Sequence, residues 1–217
     1  MSKFGAAFLI LLLAASINAA RPLSSGSART AGPDVAANER LTALNGVLLF
    51  ILLAAIATTV LFIRPLLTWH YLLGILVIPP LALKLFSTGY RFARYYGNDT
   101  AFRLAGAPPL LLRFVVAPVL VVSTVAVFGT GLELWVFGFR FGGAWVTAHT
   151  LSAVVFMVAV TVHSLSHLRR STEAVADEVS APGSQRGLIA AALVLGGVLA
   201  AASLTYMTPF PGLAAGG

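Results

Sequence analysis

The sequence predicts an all-α protein: a polytopic bundle of transmembrane helices with five long spans and a short N-terminal hydrophobic helix. Of its 217 residues, 59% are hydrophobic and only 10% are charged, against about 25% charged in a soluble domain. The apolar residues form continuous runs long enough to cross a hydrocarbon core of about 30 Å, whereas a membrane β-barrel would show short alternating segments. Transmembrane helices therefore account for the pattern.

Arg, Pro or Gly residues bound each apolar run and place the ends of the spans. The predicted spans are residues 44–63, 66–86, 111–132, 144–168 and 188–206. They divide the chain into an N-terminal hydrophobic segment with a polar linker, a helix bundle and a short tail, at residues 1–40, 41–210 and 211–217. The polar stretches 87–110 and 169–186 are expected to be loops between spans, the second of them exposed and flexible.

The distribution of basic residues predicts the orientation, because short cytoplasmic loops carry an excess of Lys and Arg. Arg64 and Arg140 lie on one side of the predicted spans. Eleven basic residues lie on the other side: Arg21, Arg29, Arg40, Lys84, Arg91, Arg94, Arg103, Arg113, Arg169, Arg170 and Arg186. We therefore expect loops 87–110 and 169–186 to face the cytoplasm, with the protein in a bacterial inner membrane.

The N-terminal segment has two interpretations. Lys3, an apolar run over residues 4–15 and the small residues 18–20 are typical of a signal peptide. Cleavage after this segment would place the linker outside and, by parity, all eleven clustered basic residues on the outer face. The charge distribution therefore favours an uncleaved sixth helix or an interfacial segment, with a cleaved signal peptide as the alternative.

Several chemistries are excluded by composition. The chain has no cysteine, which removes disulfides, thiolate metal sites, iron–sulfur clusters and a cysteine nucleophile. The sequence contains no nucleophile–His–acid set, no phosphate-binding glycine loop and no paired carboxylates. The net charge of +7 comes from residues between the spans, so it does not indicate nucleic-acid binding. We expect no enzyme activity from this chain on its own.

The histidines are the informative polar residues, because ionisable side chains inside a membrane usually face a partner or a cofactor. His70 falls about four residues into the second predicted span and His149 about five into the fourth. Those two spans run in the same direction, so both histidines should lie at similar depth. They are candidate axial ligands of a haem iron, with Gly74 leaving clearance for the macrocycle one turn after His70. The alternatives are a hydrogen-bonded pair without a cofactor, and a metal site or proton relay.

His163 is a further candidate ligand. It follows His149 by fourteen residues, which returns to within about 40° of the same helix face about 21 Å deeper. A second haem on the inner side would need another axial ligand besides His163. His167 cannot supply it, because it lies four residues along the same helix. The alternative is that His163 and His167 interact with the helix dipole or with lipid headgroups at the cytoplasmic end of the span.

The motif His70-x-x-x-Gly74 and the spacing of His149 and His163 resemble the membrane cytochrome b subunits of formate dehydrogenases and nickel–iron hydrogenases. The resemblance covers about residues 40–170. It implies that His70 and His149 ligate an outer haem b, while His163 in that family shares an inner haem with a first-span histidine.

This chain departs from the family in its first long span, which contains no histidine. Thr42 and Asn45 occupy the end of the span where that ligand would be expected. The resemblance therefore implies one haem b at most, held by His70 and His149.

The chain also resembles a group of smaller bacterial membrane proteins. The shared elements are Asn38-Glu39-Arg40, Ile78-Pro79-Pro80, Lys84 and Ser87-Thr88-Gly89-Tyr90-Arg91-Phe92. Basic and tyrosine side chains of this region have two interpretations: they bind anionic lipid, haem propionates or a soluble partner, or they only set the topology and form an aromatic belt.

Two functions from different classes follow from these features. The first is a haem b-binding electron-transfer subunit or anchor, whose partners would be membrane lipid and a redox protein or quinone. The second is a haem-free membrane scaffold or accessory subunit of a larger complex.

Overall fold

The computed structural model describes residues 32–106, 110, 112–180 and 185–206. These residues contain helices and no strand, which confirms the all-α prediction. Five helices are long and apolar enough to cross a membrane: Pro33–Leu61, Ile63–Tyr96, Leu112–Phe137, Ala144–Ser166 and Gln185–Ser203. The protein is therefore membrane-embedded. The N-terminal hydrophobic segment at residues 1–20 and the tail at 211–217 lie outside the described residues.

The helices are named in chain order. The first four are α1 (Pro33–Leu61), α2 (Ile63–Leu76), α3 (Ile78–Tyr96) and the short α4 (Thr100–Leu104). A π-helical turn (Leu112–Val116) leads into α5 (Ala117–Phe137), and α6 (Ala144–Ser166), α7 (Leu168–Ser180) and α8 (Gln185–Ser203) follow, with a 3₁₀ turn at Leu204–Tyr206.

Helices extend well beyond the apolar runs. α1 begins at Pro33, eleven residues before the predicted span, because a proline at the first position and Asp34 in the first turn suit a helix start. The predicted loop at 87–110 is wrong in its first part, since α3 continues to Tyr96. The predicted flexible loop at 169–186 is also wrong over α7, which is helical to Ser180. Hydropathy misses these parts because they are amphipathic or polar.

Prolines lie at a break in the second span and near the start of the third. The second span divides at Val77, where α2 ends and α3 begins with Pro79 and Pro80 close behind. Pro118 lies in the first turn of α5, directly after the π-helical turn. Each proline removes an N–H from the helix, so the preceding turn must adjust.

The described helices separate into two compact units. The first unit contains α1 to α4, α7 and α8, and the second contains the π-helical turn, α5 and α6. In the first unit α1 packs against α2, α3 and α7. In the second unit α5 and α6 form an antiparallel pair, in which the rings of Phe128 and Phe156 meet edge to face at 6.4 Å between centroids.

A row of hydrogen bonds joins α1 to α3 in the first unit, and we call it the polar seam. The Arg91 guanidinium pairs with the Glu39 carboxylate at 2.6 Å. Further along, Thr42 donates its hydroxyl hydrogen to Ser87 Oγ at 3.1 Å. The members of the seam are Glu39, Thr42, Asn45, Pro80, Lys84, Ser87 and Arg91. Positions rise on α3 as they fall on α1, so the two helices are antiparallel.

Candidate functional site

His70 is held by the neighbouring helix of its own unit. The ring lies half-buried on α2, seven residues after Ile63. Its Nδ1 atom is 2.9 Å from the Thr59 hydroxyl oxygen near the end of α1. The same hydroxyl is 2.6 Å from the Ile56 carbonyl oxygen, to which it can donate its hydrogen. When it does so, its oxygen accepts from the histidine, and the His70 Nδ1 atom carries the ring proton.

His149 is held in the same way in the second unit. Its ring is half-buried on α6, five residues after Ala144. Its Nδ1 atom is 3.0 Å from the Val127 carbonyl oxygen and 3.1 Å from the Thr130 hydroxyl oxygen, both on α5. A carbonyl can only accept, and Thr130 gives its own hydrogen to the Ala126 carbonyl at 2.6 Å. His149 therefore also carries its ring proton on Nδ1.

These contacts determine which nitrogen of each neutral ring can act as a Lewis base. With the proton on Nδ1, the lone pair of both His70 and His149 is on Nε2, the nitrogen farther from the helix backbone. Metal-bound histidines usually have this arrangement, in which the second nitrogen donates to a carbonyl, carboxylate or water and orients the ring. At His149 the Val127 carbonyl requires this tautomer, and at His70 the contact with the Thr59 hydroxyl is compatible with it.

Two glycines near these histidines differ in their surroundings. A Cβ built on Gly74, one turn after His70, would meet no described atom within 4 Å. That clearance is what the proposed role of Gly74 requires. A Cβ on Gly131 would lie 3.1 Å from Cε1 of His149. Gly131 therefore allows the imidazole to approach the backbone of α5 closely enough to reach the Val127 carbonyl.

His163 and His167 lie at the other end of α6. His163 is in the last turn of that helix, and His167 is the residue between α6 and α7. Fourteen residues of continuous helix separate His149 from His163, or about 21 Å along the axis. The structure thus retains the predicted spacing within this helix. Ligation by His163 stays a prediction.

Thr42 and Asn45, near the start of the first long span, belong to the polar seam. Asn45 is fully buried and donates from Nδ2 to the Pro80 carbonyl at 2.8 Å. Lys84 reaches from α3 to donate to the Thr42 carbonyl at 2.6 Å. These groups join α1 to α3 through hydrogen bonds.

The basic and aromatic residues at the end of α3 make contacts within the chain. Arg94 forms an ion pair with Asp99 at 2.6 Å and lies over the rings of Tyr90 and Phe102, at 5.8 and 5.7 Å from their centroids. Asp99 also caps α4 by accepting from the Phe102 backbone N–H. Anchoring of this turn accounts for these side chains, and binding of lipid or a partner stays a prediction.

Sequence reasoning missed Thr59 and Thr130. A threonine in an apolar helix carries no functional signal by itself, because its hydroxyl ordinarily bonds to a carbonyl one turn earlier. The missing information was the neighbour on the facing helix, which no local pattern contains. One signal was present: each threonine lies near the end of a span and precedes a histidine near the start of the next.

Other polar groups could also serve as ligands of a metal ion. Among the described residues, no group of three or more His, Cys, Asp or Glu side chains is placed to hold a metal ion. Both carboxylate oxygens of Glu133 are buried, and no described atom hydrogen-bonds to them. Neither observation concerns a haem, whose iron needs only two protein ligands.

Comparisons of this chain with protein-family models, with curated proteins and with solved structures found no match.

Proposed function

We propose that this chain is a haem b-binding membrane subunit that transfers electrons or anchors a redox partner, with His70 and His149 as the axial ligands. The observation that supports this most directly is the shared chemistry of the two rings. Each lies on the second helix of an antiparallel pair, and each has its Nδ1 atom within hydrogen-bond distance of an oxygen atom on the first helix. Each ring is therefore oriented, and a proton on Nδ1 would leave its lone pair on Nε2.

The proposal requires only one haem. Nothing in α1 supplies a histidine, and Asn45 and the Thr42 carbonyl bond to α3 instead. A bound haem would accept and release one electron at its iron. The chain's own residues would orient the ligands, exclude water and, at Gly74, leave space beside the helix.

The cellular setting is part of the same proposal. Eleven basic residues on one side of the spans against two on the other favour an orientation with residues 87–110 and 169–186 toward the cytoplasm. The membrane that we propose is a bacterial inner membrane. The electron donor or acceptor would be a quinone in the membrane or a redox protein. The exposed end of α3 and the polar helix α7 would be on the side that meets a cytoplasmic protein.

A haem-free membrane scaffold is the competing function. The same contacts support it, because Thr59 and Thr130 join neighbouring helices through the histidines whether or not a cofactor is present. Interhelical hydrogen bonds of this type contribute about 0.6 kcal/mol each in a membrane. Each would add a small stabilisation to the packing of α1 against α2 or of α5 against α6.

One absorption spectrum distinguishes the two functions. The protein should be expressed with excess haem precursor, purified in mild detergent and measured as the reduced-minus-oxidised difference. A b-type α-band in proportion to the protein is expected for the electron-transfer subunit. A preparation that is folded and monodisperse but lacks this band would support the scaffold.

A further inference from the structure

We propose that Thr59 and the Val127 carbonyl, assisted by Thr130, are positioning groups that set the tautomer and the basicity of the two histidines. The inference about basicity toward iron rests on the proposed function. The tautomer itself is a property of the chain without any cofactor. It can therefore be tested separately from haem binding.

At His70 the positioning group is a hydroxyl. The Thr59 side chain is 5% exposed, and its hydrogen is directed to the Ile56 carbonyl in its own helix. That bond orients the oxygen lone pair toward Nδ1 of His70 at 2.9 Å. Valine has the shape of threonine and lacks this acceptor, so Thr59→Val should release the ring proton from Nδ1.

At His149 two oxygen atoms lie within hydrogen-bond distance of the Nδ1 atom. The Val127 carbonyl oxygen is 3.0 Å from Nδ1, and the Thr130 oxygen is 3.1 Å away. A backbone carbonyl cannot be removed by a side-chain substitution. Thr130→Val should therefore leave the proton on Nδ1, which would then donate to the Val127 carbonyl alone. We therefore expect the Thr→Val substitution to change the histidine tautomer at His70 and to leave it unchanged at His149.

The two positioning groups would also make the axial ligands inequivalent. A hydrogen bond from Nδ1–H increases the electron density on Nε2 and strengthens its bond to a metal. Loss of such an outer partner typically reduces metal affinity by about 10- to 100-fold. Thr59→Val should therefore weaken haem retention by about tenfold and raise the midpoint potential. Thr130→Val should change both much less.

The direct test uses the haem-free protein with ¹⁵N-labelled histidine in lipid bilayers, at about pH 8, where an ordinary histidine is neutral. Solid-state ¹⁵N spectra distinguish a protonated ring nitrogen from one with a lone pair. His→Gln variants at each of the four positions assign the signals. We expect the proton on Nδ1 at His70 and His149 in the wild type.

The variants complete the test. We expect Thr59→Val to change the His70 tautomer and Thr59→Ser to restore it. We expect Thr58→Val to have no effect, because the Thr58 hydroxyl donates to the Ala54 carbonyl of its own helix at 2.9 Å. A wild-type proton on Nε2 at His70, or an unchanged tautomer in Thr59→Val, would overturn the inference. That result would leave haem binding intact as a proposal. A correct tautomer without a haem spectrum would instead contradict the proposed function alone.

Discussion

The α-carbon of Gly196 on α8 packs against the backbone carbonyl oxygen of Leu76, at the end of α2. A Cβ at position 196 would overlap that oxygen. The carbonyl is accessible because Pro80, four residues later, has no N–H to donate to it. The proline break in the second span and the glycine in the last span therefore form one joint within the first unit.

Gly196→Ala should destabilise the protein by about 1–3 kcal/mol, because the added methyl group forces α8 away from Leu76. Gly197→Ala is the matched control, since a Cβ there would meet no described atom within 4 Å. Alanine also favours a helix by about 1 kcal/mol over glycine, so the control should be neutral or slightly stabilising. Thermal unfolding in detergent measures both. Equal effects would show that the joint does not exist.

The ion pair of the polar seam should contribute more than a surface pair. Glu39 and Arg91 retain about a quarter of their side-chain exposure, at 24% and 23%, whereas Arg169 and Glu173 on α7 retain 61% and 52%. Double-mutant cycles with alanine at each position should give a coupling energy of about 1 kcal/mol or more for the first pair, against about 0.3–0.5 kcal/mol for the second. A coupling energy for Arg169 and Glu173 as large as that for Glu39 and Arg91 would contradict this prediction.

The helical spans were predictable because a bilayer sets the length and apolar character of a crossing segment. Their ends were not, since Pro33 to Thr42 and Ser87 to Tyr96 are too polar for a hydropathy signal and become helical through contacts between α1 and α3. Likewise, the four histidines were identifiable as rare ionisable groups. Their acceptors Thr59 and Val127 were not, because each lies on a facing helix.

Gly131→Ala should disturb His149. The new Cβ would lie 3.1 Å from Cε1 of the imidazole, so the ring must move and lengthen its bond to the Val127 carbonyl. Gly129→Ala is the control, since no described atom lies within 4 Å of its Cβ position. The ¹⁵N spectrum of His149 should shift and broaden in the first variant and stay unchanged in the second. An identical spectrum in both would mean that the ring does not depend on this contact.

The orientation can be tested by labelling, which is simple because the chain has no native cysteine. Thr100→Cys at the start of α4 and Glu173→Cys on α7 should resist a membrane-impermeant thiol reagent in intact cells and react after permeabilisation. Arg140→Cys, between α5 and α6, should react in intact cells. Thr100 is preferable to Asn98, whose backbone φ of 64° disfavours cysteine. The reverse labelling pattern would invert the topology.

The number of haems per chain can be measured by pyridine haemochrome in the wild type and in four histidine variants, and it tests the assignment of His70 and His149 as the two ligands. We expect at most one haem per chain. His70→Ala and His149→Ala should each abolish the low-spin spectrum or convert it to high spin, because a six-coordinate iron loses one ligand. His163→Ala and His167→Ala should leave it nearly unchanged. Two haems per chain, or a spectrum that survives His70→Ala and is lost in His163→Ala, would contradict ligation by His70 and His149.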